Sequence, residues 1–121
     1  MRSCLIVDDS KVIRMVAKKI LTELSFTTEE AEDGEVALNA CRRTMPDAVL
    51  LDWNMPVMNG IDFLRELRKL PGGEAPVVVF CTTENDIEHI QEAILAGANE
   101  YIMKPFDSEI LQAKFSQVGL L

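Results

Sequence analysis

Hydrophobic and polar positions along this chain switch between two periods. Short unbroken apolar runs, Cys4-Leu5-Ile6-Val7, Ala48-Val49-Leu50-Leu51, Val77-Val78-Val79-Phe80-Cys81 and Tyr101-Ile102-Met103, read as strands, and the Val77 run as one covered on both faces. Residues 26–31 form a weaker strand, Thr-rich and acidic, which suits the edge of a sheet. Between the strands the apolar spacing becomes helical. Ile13, Val16, Ile20 and Leu24 share one face of a first helix, with Arg14, Lys18 and Lys19 off it. Ala37, Ala40 and Cys41 mark a second helix, Ile61, Leu64 and Leu67 a third, and Ile87, Ile90 and Ile94 a fourth. Ile110, Leu111, Phe115 and Val118 mark the last.

The start and stop signals agree with this division. Ser10, Asp33 and Asp107 are placed as N-caps, and Asn85 with Glu88 three residues on resembles a capping box. Gly60 begins the third helix, whereas Pro46, Pro71-Gly72-Gly73 and Gly97 close helices. Five strand–helix units in strict alternation imply an α/β fold with a parallel sheet and right-handed crossovers. The expected architecture is a flavodoxin-like, doubly wound sheet in the order 2-1-3-4-5, with five helices on both faces. Residues 1–121 read as one domain, too short to carry a second, output-type domain.

A net charge of −8 argues against nucleic acid or an anionic membrane as a direct partner, since either would repel the chain. No apolar run approaches the roughly 20 residues that span a bilayer, and the N-terminus lacks the apolar core of a signal peptide. Cys4, Cys41 and Cys81 are scattered and odd in number, and His89 is the sole histidine, so no Cys/His metal spacing exists. These features imply a cytoplasmic protein with reduced core thiols.

In an open parallel sheet the C-terminal strand ends share one edge, where ligands bind. That edge collects Asp8-Asp9 after the first strand, Asp52 after the third, Thr82 after the fourth and Lys104 after the fifth. Alone, Asp52 reads as a loop-capping residue before a turn rich in Asn54, Pro56, Asn59 and Gly60. In the order 2-1-3-4-5, however, the first and third strands are neighbours, so Asp8, Asp9 and Asp52 converge. Three carboxylates repel one another unless protonated or neutralised by a cation. With a backbone carbonyl at Asn54, the oxygen-only donor set suits a hard ion such as Mg²⁺. An in-line carboxylate nucleophile, a metal, a lysine and a hydroxyl are the parts that phosphoryl transfer to Asp52 requires.

The pieces Leu5-Ile6-Val7-Asp8-Asp9-Ser10, Pro46-Asp47 through Asp52, Met55-Pro56 with Asn59-Gly60, Thr82, Ala96-Gly97-Ala98 and Lys104-Pro105-Phe106 occur in fixed order. On them the chain resembles the receiver domain of bacterial response regulators from its first strand to its last helix. The resemblance implies that Asp52 is the phosphoacceptor for a sensor histidine kinase. It implies that Asp9, Asp52 and the Asn54 carbonyl ligate Mg²⁺, with Asp8 acting through a water. Thr82 and Lys104 would contact the phosphoryl oxygens, and Tyr101 would be the switch aromatic. Lys104-Pro105 matches a position where the family holds a cis peptide. Asn54 and Glu84 match positions that influence the phosphoryl lifetime. Trp53, Asn54 and Glu84 together resemble the chemotaxis type, CheY, more than transcriptional receivers. Thr83 departs from the family in replacing a commonly small residue, which would narrow access to the phosphate.

A receiver of this kind is a phosphoacceptor signalling module rather than an enzyme proper. Its face of fourth helix, fifth strand and fifth helix is where a downstream target would dock. Ile90, Glu92, Ile94, Leu95, Glu100, Tyr101, Lys114 and Phe115 are the candidates there, and some of them must be core. The flagellar motor switch is the partner that the chemotaxis resemblance implies, and phosphate shuttles and cell-cycle receivers are the alternatives within the family. An aspartyl-phosphate hydrolase would place another Asp two residues after the nucleophile, where this chain has Asn54. A flavodoxin-like cofactor binder would need a phosphate loop where Asp8-Asp9 stands.

Overall fold

Strand and helix alternate through the chain as β1 (Ser3–Val7), α1 (Lys11–Glu23), β2 (Thr27–Ala31), α2 (Gly34–Arg43), β3 (Ala48–Asp52), α3 (Gly60–Lys69), β4 (Val77–Thr82), α4 (Ile87–Ala96), β5 (Glu100–Met103) and α5 (Ser108–Gln117). The computed structural model describes residues 2–83 and 87–121. All five strands are parallel, as the alternation requires, and lie in the expected order β2-β1-β3-β4-β5.

Alternate strand residues face opposite layers, which explains why the strands lack alternation in sequence. Leu5, Val7, Val49, Leu51, Val78 and Phe80 share one buried cluster with residues of α2 and α3 and with Ala93 of α4. Cys4, Ile6, Leu50, Val79, Cys81 and Ile102 share the other with α1 and α5. Phe26 and Phe115 meet there edge to face, with ring centroids 5.4 Å apart. The polar, acidic β2 lies at the edge, as its composition suggested.

Cap chemistry holds where the sequence placed it. The side chains of Ser10, Asp33 and Asp107 accept backbone N–H groups at 3.3, 2.9 and 2.9 Å. Asn59 does the same for α3 at 2.8 Å. Such caps fix where each helix starts after its strand-end loop. Asn85, expected to cap α4, and Glu84 lie outside the described residues.

The helix faces differ from expectation in four places. On α1 the buried residues are Ala17, Ile20 and Leu21, and Val16 is 45% exposed. Small Ala17 lets the helix approach the sheet, which turns the stripe away from Val16. On α4 Ala93 does the same, leaving Ile87 and Ile94 exposed. Ile110 of α5 is exposed as well, whereas Phe115, a candidate for the docking face, is wholly core.

One cation ties the sheet's far side together. Arg68 of α3 donates to the carbonyls of Gly97 at 2.6 and 3.1 Å, Gly73 at 2.9 Å and Pro76 at 2.8 Å. It thereby pins the C-terminal end of α4 to α3 and to the turn before β4. The three cysteines are free and buried. Burial pushes the Cys41 thiol up to about 11 and Cys4 to about 12, so neither is a thiolate near neutrality.

Candidate functional site

Strand register assembles the site. Val7 pairs with Leu51, so the residues that follow, Asp8 and Asp52, emerge side by side. Asp52 pairs with Cys81 and Thr82 with Met103, which brings Thr82 and then Lys104 to the same rim. The backbone N–H of Lys104 donates to the Thr82 carbonyl at 2.7 Å, and the Lys104–Pro105 peptide is cis, as the resemblance implied.

Asp8 and Asp52 are 3% and 7% exposed, whereas Asp9 lies open. Lys104 Nζ lies 2.7 Å from Asp8 Oδ2 and 3.0 Å from Asp52 Oδ1. Asp8 Oδ1 accepts the Ser10 N–H at 2.9 Å, and Asp52 Oδ1 accepts the Trp53 N–H at 3.0 Å. Arg14 reaches back from α1 to donate to the Asp8 carbonyl at 2.6 Å. Asp8, Asp9 and Asp52 each offer a carboxylate oxygen, and these oxygens lie within 4.8 Å of one another. An oxygen-only set of that span could hold a hard divalent cation.

Asp9, Asp52, Trp53, Asn54, Thr82 and Lys104 line a cavity of about 300 Å³, and Thr83 also borders it. Thr82 is 1% exposed, and its hydroxyl donates to the Thr83 carbonyl at 3.3 Å. The structure therefore brings together every described residue expected at the rim. Tyr101 lies apart from it, half-buried against the core, with Lys114 Nζ 4.7 Å from its ring centroid.

Three features were not read from the sequence. Lys104 is already engaged by two carboxylates, the Ser10 and Trp53 amides orient those carboxylates, and the Trp53 ring stacks on His89 with centroids 3.6 Å apart. Lys104 and Asp8 are 96 residues apart, so no local signal announces their pairing.

Burial raises the Asp52 carboxyl above its ordinary range; Lys104 opposes the shift, and Asp8 and Asp9 add to it. Burial pulls the Lys104 ammonium down, but its hydrogen bond to Asp8 and the Asp52 charge outweigh that, leaving it raised. A carboxyl raised on folding costs stability above its folded value and nothing below its unfolded value, about 3.9. In chelator, Asp52→Asn is therefore expected to be more stable than the parent at pH 7, with the gain fading toward about pH 4. Urea unfolding at the two pH values checks this; an equal difference at both would place the effect in packing rather than charge.

Known proteins resemble this chain over most of its length. The family described as "Response regulator receiver domain" matches residues 4–116. The chemotaxis protein CheY of Pseudomonas aeruginosa is 40% identical over 115 residues, which cover 94% of this chain and 93% of that protein. CheY-3 of Vibrio cholerae serotype O1 is 41% identical over 115 residues, covering 94% of this chain and 88% of that protein. Among solved structures, chemotaxis protein CheY4 of Vibrio cholerae superposes with a TM-score of 0.92 at 33% identity, covering 98% of each chain.

Proposed function

The chain belongs to the response regulator receiver family, and from that premise we propose that it accepts a phosphoryl group from a histidine kinase on Asp52 and so switches a downstream target. The observation that carries this reading is the pairing of buried Asp52 with Lys104 beside Asp8 and Asp9 in one open cavity.

Among the described residues, the Trp53 N–H and the Lys104 ammonium both meet the Asp52 carboxylate at Oδ1, which orients the group and leaves Oδ2 to attack. Attack forms the Asp52–O–P bond as the donor's bond to phosphorus breaks, and the donor group leaves with that electron pair. The Lys104 ammonium is placed to turn from the carboxylates toward a phosphoryl oxygen, and the Thr82 hydroxyl from the Thr83 carbonyl toward another. Mg²⁺, held by Asp9, Asp52 and the Asn54 carbonyl with Asp8 behind them, would neutralise the carboxylates against the incoming anion. Asn54, exposed at the cavity wall, and Glu84 are assigned to the phosphoryl lifetime.

Movement of Thr82 is the start of the switch, and inward rotation of Tyr101 its second half. The exposed Ile94, Leu95 and Met103 then offer apolar contacts on α4 and β5 to the target. The identities with two chemotaxis proteins favour the flagellar motor switch as that target and the cytoplasm as the setting. No helix among the described residues is long and apolar enough to cross a membrane.

Intact mass after incubation with Mg²⁺ and acetyl phosphate tests the chemistry. A gain of one phosphoryl group that needs Mg²⁺ and disappears in Asp52→Asn is expected, with acetate as the leaving group. Equal labelling of the variant would overturn the assignment of Asp52.

A further inference from the structure

His89, the sole histidine, plays no part in the proposed phosphoryl transfer, yet its ring lies flat on Trp53. The centroids are 3.6 Å apart and the planes 20° from parallel. The contact joins two elements of different character. Trp53 belongs to the phosphoacceptor loop: its N–H binds the Asp52 carboxylate, its carbonyl accepts the Gly60 N–H at 2.9 Å, and the residue lines the cavity. His89 belongs to the first turn of α4.

Helix α4 is loosely seated. Ala93 is its one fully buried residue, where α3 buries five. At its C-terminal end, however, it is held firmly, because Arg68 binds the Gly97 carbonyl and the Ala98 N–H bonds back to Ala93. At mid-helix an exposed ion pair, Arg65 to Glu92 at 3.1 Å, contributes little rigidity. A helix anchored at one end moves chiefly at the other, and that other end carries His89.

Trp53 sits between the two residues whose oxygens are assigned to the metal, Asp52 and Asn54. Binding there fixes the backbone on both sides of the Trp53 ring, so the ring cannot ignore occupancy of the site. We propose that His89 is a positioning residue that, by stacking on Trp53, couples the first turns of α4 to occupancy of the acidic site. Coupling of this kind is reciprocal: whatever holds α4 also biases ion binding at Asp52. The inference rests on the metal assignment above, but needs no phosphoryl transfer.

The test uses the whole chain, Mg²⁺ alone as probe, and the variants His89→Ala and His89→Phe. In the parent, saturating Mg²⁺ is expected to change amide hydrogen exchange in the first turns of α4 about threefold, a scale suited to one stacked pair. His89→Ala should lose that response and shift the emission of the sole tryptophan to the red in metal-free protein. His89→Phe, which keeps a planar ring, should restore both. A purely structural His89 would lower stability yet leave the Mg²⁺ response of α4 intact in His89→Ala, and that result overturns the coupling. Calorimetry separates the two levels of failure. No Mg²⁺ binding to the parent would sink the metal assignment and the coupling together. A parent that binds Mg²⁺ without any response in α4 would sink the coupling alone.

Discussion

Replacing Lys104 with methionine is expected to cost the fold about 2–4 kcal/mol at neutral pH in chelator, because it leaves two buried carboxylates without their cation. Methionine keeps most of the stem's packing and removes the charge. In the parent the Lys104 ammonium is raised, so its pairing is intact below the ordinary lysine value, about 10.4, and is lost only above that. The acid side belongs to the carboxylates. In the variant Asp52, already raised by burial, loses the cation that held it down and rises further. Its protonation then relieves the repulsion, so the deficit should shrink as pH falls from 7 toward 5. Saturating Mg²⁺ should stabilise the variant more than the parent, since a divalent ion restores the missing neutralisation. Urea unfolding in chelator and in Mg²⁺ checks both trends. A deficit that ignores pH and Mg²⁺ alike would trace it to lost packing. Labelling by acetyl phosphate should fall about 100-fold, the scale of removing one preorganised oxyanion partner.

The strand ends were legible because each combines an apolar run with an abrupt polar stop, and topology then did the assembling. Asp8, Asp52, Thr82 and Lys104 needed the 2-1-3-4-5 order to become neighbours, and that order is one of the common doubly wound arrangements that alternation allows. Helix faces were less legible. On α1 the residues Val12, Ile13, Met15 and Val16 offer more apolar positions than one face can bury, and a small Ala17 decided the contact. Ala93 did the same on α4. Hydrophobic periodicity weights large residues, but the closest approach of helix to sheet is set by small ones. Long-range polar contacts left no trace in the sequence at all. Arg14 on the Asp8 carbonyl, Arg68 on the Gly97 carbonyl and His89 on Trp53 depend on how two elements dock.

Gly60 is where fold and site meet, and Gly60→Ala carries the second large effect. A Cβ on Gly60 would lie 2.1 Å from the Asp52 carbonyl oxygen and 2.8 Å from the Trp53 Cα. Both obstacles are backbone, so no rotamer relieves them. Helix α3 starts at Gly60 because its N–H bonds the Trp53 carbonyl at 2.9 Å, folding the loop 53–60 back on its own origin. The glycine is required here by close approach and not by a left-handed backbone. Admitting the methyl group means pushing α3 away from β3 or displacing the loop, at a cost of about 3 kcal/mol. Whichever gives way, the Trp53 N–H moves off Asp52 Oδ1, and with it the orientation of the nucleophile. A shift near 1 Å at a reacting group costs about 100-fold in rate. Gly60→Ala should therefore lose both stability in urea and labelling by acetyl phosphate, even where Mg²⁺ keeps the variant folded. Near-parent labelling in that folded variant would mean that the Trp53 N–H does not orient the nucleophile, which would place the orientation of Asp52 in Lys104 alone.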